Sequence, residues 1–225
     1  MEIFIDSASV TEIQKWLNMG VVDGVTTNPS IMYKDGVYDS EAGAKEIAAL
    51  INPRPLSVEV TTNDLGEMLT QAQSFAFWAP NIAIKIPQIT QDGAPCYGVI
   101  NQLESEGIKV NATVAMSLGQ VILAAKSGAT YISIFAGRVA DEGGNAPDVI
   151  RKSVDWIERW KYESKIIVGS IRSVGDVLSA ATAGAHIITI PPQFLTKMVD
   201  HKYTRETVRQ FVSDAQKALE MMQRV

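Results

Sequence analysis

The sequence predicts an α/β protein: a single-domain (β/α)8 TIM barrel with an extra C-terminal helix. Three observations predict it. Eight short runs rich in β-branched residues alternate with amphipathic stretches, and that alternation implies right-handed βαβ units and a parallel sheet. The chain has 225 residues, and eight such units in roughly 200–250 residues is the barrel pattern. Gly128-Ala129-Thr130-Tyr131-Ile132-Ser133-Ile134 also resembles Gly184-Ala185-His186-Ile187-Ile188-Thr189-Ile190. In both segments a helix ends at glycine, which suits the left-handed cap position, and a strand follows at once. An open doubly wound sheet is the alternative. No Gly-x-Gly-x-x-Gly follows any of the strands, which weakens a dinucleotide-binding version of it.

The elements follow in order. Strands are expected over residues 3–6, 24–27, 56–60, 82–86, 109–113, 131–135, 165–168 and 186–190. Their continuous apolar runs suit strands buried on both faces. Amphipathic helices are expected between them, over 10–19, 40–51, 65–77, 97–106, 117–127, 147–160 and 174–183. Pro191-Pro192 ends the last strand, and a short helix is expected over 194–199. A final helix, about 204–222, carries an apolar line of Val208, Phe211, Val212, Ala215 and Leu219. It either closes the outer ring or packs on a neighbouring subunit. With no linker or low-complexity segment, residues 1–225 read as one domain with 203–225 as that helix.

Composition narrows the function classes. There are 20 Lys+Arg against 25 Asp+Glu, a formal charge of −5, and no basic run. Neither nucleic acid nor an anionic membrane is an expected partner. The single cysteine, Cys96, cannot form an internal disulfide and suits a reducing compartment. The start Met1-Glu2-Ile3-Phe4-Ile5-Asp6 lacks the regions of a secretion signal. No apolar run approaches the roughly 20 residues of a bilayer span. A soluble cytoplasmic protein is expected. The two histidines, His186 and His201, show no ligand spacing, so no metal and no cofactor is expected.

The chemistry is carried by polar residues at the strand ends, where such barrels build their sites. Lys85 is the only charged residue in Asn81-Ile82-Ala83-Ile84-Lys85-Ile86-Pro87. Desolvation of a buried lysine disfavours the ammonium and yields a nucleophilic amine. The alternative is an edge lysine whose stem reaches solvent. Asp6 ends the first strand, Asn28 follows the second and Glu59 lies on the third. Asn111 and Thr113 belong to the fifth strand, and Ser133 and Phe135 to the sixth with Arg138 just beyond. Ser170 ends the seventh, followed by Arg172. A buried amine with acid/base groups suits imine chemistry, and two arginines beside hydroxyls suit a phosphate. Singly, each residue has a plainer reading. Asp6 also suits a helix N-cap, Asn28 a turn before Pro29, Glu59 a structural ion pair, and the arginines the surface. Their joint placement at strand ends favours a site.

These segments carry a resemblance to the transaldolase family, specifically its short bacterial-type members related to fructose-6-phosphate aldolase. Asp23-Gly24-Val25-Thr26-Thr27-Asn28-Pro29-Ser30-Ile31 resembles the family's second-strand signature. Ile84-Lys85-Ile86-Pro87 resembles its Schiff-base segment. Val110-Asn111-Ala112-Thr113, Ile132-Ser133-Ile134-Phe135-Ala136-Gly137-Arg138 and Gly169-Ser170-Ile171-Arg172 resemble its fifth, sixth and seventh strand motifs. The resemblance implies a class I, Schiff-base transferase of carbohydrate metabolism, in the non-oxidative pentose phosphate pathway. It would move dihydroxyacetone from sedoheptulose 7-phosphate or fructose 6-phosphate to glyceraldehyde 3-phosphate or erythrose 4-phosphate. Lys85 would form the imine and Asp6 would shuttle the proton of the carbon 4 hydroxyl. Glu59, with Thr113 and a water, would serve imine formation and hydrolysis. Asn28, Asn111 and Ser133 would hold the dihydroxyacetone part, and Arg138, Ser170 and Arg172 the phosphate.

Two alternatives stand beside this: an aldolase that releases free dihydroxyacetone, and a non-catalytic sugar-phosphate-binding barrel. Aldolase-type relatives carry glutamine where this chain has Glu59 and tyrosine where it has Phe135, so both positions favour transaldolase. Ile134 stands where proline is usual and Ile171 where an aromatic is usual, which bears on substrate preference. Short members commonly form pentamer-based decamers by swapping the terminal helix, so the resemblance implies a homo-oligomer.

Overall fold

A computed structural model describes residues 1–223. Its strands are β1 (Glu2–Asp6), β2 (Gly24–Thr26), β3 (Leu56–Glu59), β4 (Ile82–Pro87), β5 (Val110–Ala115), β6 (Tyr131–Phe135), β7 (Lys165–Gly169) and β8 (Ile187–Ile190). The helices are α1 (Val10–Asn18), α2 (Pro29–Lys34), α3 (Ser40–Ile51), α4 (Leu65–Ala76), α5 (Tyr97–Ser105), α6 (Leu118–Lys126), α7 (Ala136–Asp141), α8 (Ala146–Trp160), α9 (Val174–Thr182), α10 (Pro192–Val199) and α11 (Lys202–Met222). The strands pair in sequence order, all parallel, and β8 returns to β1, closing the barrel. The expected fold is the observed one.

The chain divides into two compact units, Met1–Pro192 and the remainder from Gln193. The first is the barrel. The second holds nearly all of α10 and the long helix α11, within which no residue is buried. There Arg205 pairs with Asp200 at 3.1 Å, while Tyr203, Val208, Phe211, Val212 and Leu219 are exposed. The helix expected over 203–225 spans Lys202–Met222, and residues 224 and 225 lie outside the described residues.

Helix starts follow local capping chemistry. Ser9, Asn28, Asp39, Asp64, Ser117, Asn145 and Ser173 each accept a hydrogen bond from a first-turn N–H, which satisfies one of the orphan donors there. Two helices, α2 and α7, lie outside the expected set. The first is started by Asn28 as cap and Pro29 in the first turn, a pairing preorganised for helix entry. The second follows directly from β6 with no side-chain cap.

Alternation along the strands sorts residues into layers inside the barrel. Phe4, Ala83, Tyr131, Ile167 and Ile187 from five strands meet as an apolar plug. Gly24 lets Phe4 pack against β2: a Cβ there would lie 2.7 Å from the Phe4 ring. One step further along the strands, Asn111 donates to Ser57 Oγ at 3.2 Å and accepts from Ser133 Oγ at 2.7 Å. The carboxyl ends carry the charged layer.

Candidate active site

That end opens into a cavity of ≈ 600 Å³. Asp6, Asn28, Glu59, Lys85, Ser133, Phe135, Arg138 and Ser170 line it, together with Thr26, Lys34, Val114 and Thr189. Lys85 shares the inward face of β4 with Ala83, so its ammonium points to the barrel axis and its side chain is only 5% exposed. The register pairs Glu59 with Lys85 across β3 and β4, and Asn111 with Lys85 across β4 and β5. Its Nζ lies 3.0 Å from Glu59 Oε2 and donates to the Thr27 carbonyl at 2.9 Å. A buried amine with one carboxylate in contact has a proton acceptor within reach.

Asp6 sits opposite Thr26 in the β1–β2 register. Its Oδ1 accepts from Thr26 Oγ1 at 2.7 Å, and that hydroxyl in turn meets Thr189 Oγ1. Enclosure at the barrel mouth pushes the Asp6 carboxyl above its ordinary range. The Lys85 charge and the Thr26 bond pull it back, while Asp35 and Glu59 push it further up. A carboxyl held in this way can alternate between acid and base nearer neutral pH.

The remaining expected residues divide. Asn28 caps α2 through Oδ1, which accepts from the Ile31 N–H at 2.9 Å, and also lines the cavity. Its turn-shaping and site readings are therefore compatible. Asn111 and Thr113 lie outside the cavity wall, fully buried next to it. Asn111 braces Ser133 from below. The Thr113 hydroxyl is buried without a hydrogen-bond partner among the described residues, and such a group wants one. Beside it the β5–β6 register shifts between Ala112 and Ala115. Val114, in that bulge, has φ 61°. For a β-branched residue this left-handed conformation is strained, and such strain gathers at functional sites. The bulge brings Val114 to the cavity wall.

The two arginines line different cavities but share one carboxylate, Asp141. Arg138 lines the Lys85 cavity, as does Ser170, which has φ 59°. Arg172 instead lines a neighbouring cavity of ≈ 390 Å³ among α7, α8 and α9. Its guanidinium grips the Asp141 carboxylate with both terminal nitrogens, Nη2 to Oδ2 at 2.6 Å. That pair holds the Asp141 carboxyl below its usual range and pushes Arg172 higher still. The cause is a carboxylate 31 residues earlier in the chain, which a local motif does not reveal. Of the histidines, His186 lies near the opposite end, where Nδ1 accepts from the Ile166 N–H at 2.9 Å and burial pushes its pKa down.

Sequence reasoning did not single out Thr189, Lys34 or Val114. Thr189 was legible as the inward residue at the end of the eighth strand. Lys34 follows from α2, and Val114 carried no signal, because a valine in a β-rich run argues for an ordinary strand.

Residues 3–225 match the family model described as transaldolase/fructose-6-phosphate aldolase. A probable transaldolase of Dehalococcoides mccartyi is 38% identical over 214 residues, covering 95% of this chain and 97% of that protein. Another probable transaldolase, of Lactiplantibacillus plantarum, is 40% identical over 214 residues, covering 95% and 96%. Among solved structures, the thiamine phosphate pyrophosphorylase of Pyrococcus furiosus superposes with a TM-score of 0.56 at 12% identity, over 84% of this chain and 85% of that one, a likeness of fold alone. The sequence match over nearly the full length, on a closed barrel with a lysine enclosed at its mouth, places this chain in the transaldolase/fructose-6-phosphate aldolase family.

Proposed function

We propose that the protein is a transaldolase that carries a dihydroxyacetone unit between sugar phosphates as a Schiff base on Lys85. The observation that carries this reading is the enclosed Lys85 amine, 3.0 Å from Glu59 and facing the same cavity as Asp6. Glu59 takes the ammonium proton, and the amine adds to the ketose carbonyl. Water leaves with a proton returned through Glu59 and a water held against the Thr113 hydroxyl. The resulting cationic imine draws electrons, so the carbon 3–carbon 4 bond breaks as Asp6 takes the proton of the carbon 4 hydroxyl. The three-carbon enamine then attacks the acceptor aldehyde, and Asp6 returns the proton. Asn28 and Ser133, with Asn111 bracing Ser133, hold the dihydroxyacetone hydroxyls. Arg138, Ser170 and Arg172 receive the phosphate.

Retention of the enamine separates transaldolase from aldolase. Phe135 lines the cavity and offers no hydroxyl to protonate the enamine, which favours transfer over release. The substrates are those of the non-oxidative pentose phosphate pathway, and Cys96, a buried free thiol, fits a cytoplasmic setting. We also propose a homo-oligomer, a pentamer-based decamer, in which the apolar side chains exposed on α11 pack on a neighbouring subunit.

The test is glyceraldehyde 3-phosphate release from fructose 6-phosphate, with and without erythrose 4-phosphate. Sustained release only with the acceptor is the expected result. Sustained release without it identifies an aldolase.

A further inference from the structure

We infer that Asp141 competes with the substrate's phosphate for Arg138 and Arg172, and so lowers the phosphate affinity of that subsite. This rests on the sugar-phosphate reading above. The geometry is a carboxylate flanked by two guanidinium groups. Asp141 engages both terminal nitrogens of Arg172, and its Oδ2 lies 3.8 Å from Arg138 Nη1. Arg138 and Asp141 both belong to α7, one turn apart, while Arg172 arrives from the end of β7. A carboxylate and a phosphate present the same pair of oxygens to an arginine fork, and the phosphate brings more charge.

Arg172 also stands against the wall that separates the two cavities. Gly137 makes the approach possible: a Cβ there would lie 2.8 Å from both Arg172 Nε and Ser170 Oγ. Ser170 lines the Lys85 cavity, so Arg172 needs to exchange only its carboxylate partner to serve the same anion as Ser170 and Arg138. That exchange is inexpensive. The side chains of Arg172 and Asp141 are 50% and 39% exposed, so solvent screens even this bidentate pair and can solvate the carboxylate once it is displaced. Any anion that occupies the subsite must displace this carboxylate, so the free energy of the Asp141 pairs is subtracted from its binding. Asp141 thereby weakens the hold on phosphorylated sugars while leaving uncharged ones unaffected. If Asp141 were instead a strut that aims the arginines at phosphate, its removal would have the opposite sign.

The experiment measures inorganic phosphate binding by calorimetry, and steady-state kinetics with fructose 6-phosphate and with fructose. The proteins are wild type, Asp141→Asn, Asp141→Ser and Arg172→Ala, with Glu142→Gln as a control for net charge. Removing Asp141 should tighten phosphate about two- to fivefold. KM for fructose 6-phosphate should fall by a similar factor, and the kcat/KM ratio of fructose 6-phosphate over fructose should rise accordingly. The change should fall on KM rather than kcat, and Glu142→Gln should produce less than half of it. Unchanged or weaker phosphate binding in both Asp141 variants overturns the competition. So does an equal gain in Glu142→Gln. If instead Arg172→Ala binds phosphate as well as wild type, the phosphate subsite itself is misassigned.

Discussion

Two lysine–glutamate pairs stand at opposite ends of one barrel. At the amino end Lys165 meets Glu2 at 2.6 Å, with side chains 48% and 38% exposed. At the carboxyl end Lys85 meets Glu59 at 3.0 Å, with side chains 5% and 20% exposed. The shorter contact is the less consequential one. The bond to Glu2 pushes the Lys165 pKa up, so that amine holds its proton and stays hydrated. Lys85 is enclosed with a carboxylate in contact, and a second carboxyl, its pKa raised by burial, faces the same cavity. In the proposed mechanism, enclosure and neighbours, rather than the length of the ion pair, separate a reactive lysine from a structural one.

The comparison breaks first at Lys85. Lys85→Met should lower turnover on the order of 10⁴-fold or more, because the covalent route is lost. Circular dichroism should still report a folded barrel, and turnover within tenfold of wild type would contradict the assignment. Next is Asp6→Asn, expected to slow the reaction by about 10²–10⁴-fold as the acid/base group disappears. The same variant should melt higher at pH 7. Asp6 has its folded pKa raised above 3.8, so the native state binds more protons than the unfolded one as pH rises past that value. The carboxyl is then a penalty that is absent below 3.8 and grows above it. A stability gain that does not shrink on acidification would count against this account.

Smaller effects are expected at the amino end. Gly24→Ala forces a methyl into the Phe4 ring and should cost about 1–3 kcal/mol in chemical denaturation, with kcat preserved below the melt. Lys165→Met should change stability by less than about 1 kcal/mol and leave turnover as it is. The contribution of Lys165 is present below its unfolded pKa of 10.5 and fades as pH rises through the higher folded value. A large loss of activity in this variant would erase the distinction between the two pairs.

What was legible in the sequence follows from the range of each signal. The strands were plain because β-branched runs and their spacing are local. Lys85 stood out because a lone charge in an apolar strand either reaches solvent at an edge or is enclosed, and the structure encloses it. Two short helices were not: Asn28-Pro29, which starts α2, equally suits a turn, and α7 grows out of β6 without a capping side chain. The left-handed Val114 contradicts its own propensity, which is the kind of local conflict that functional sites tolerate. The destination of Arg172 depends on Asp141, and no periodicity reports a partner so distant in sequence.

The most direct measurement is borohydride reduction in the presence of fructose 6-phosphate, followed by peptide mass mapping. The account predicts one stable three-carbon adduct, on Lys85, with Lys165 unmodified. An adduct on Lys165 or elsewhere, or none on a protein that turns over the substrate, would contradict it.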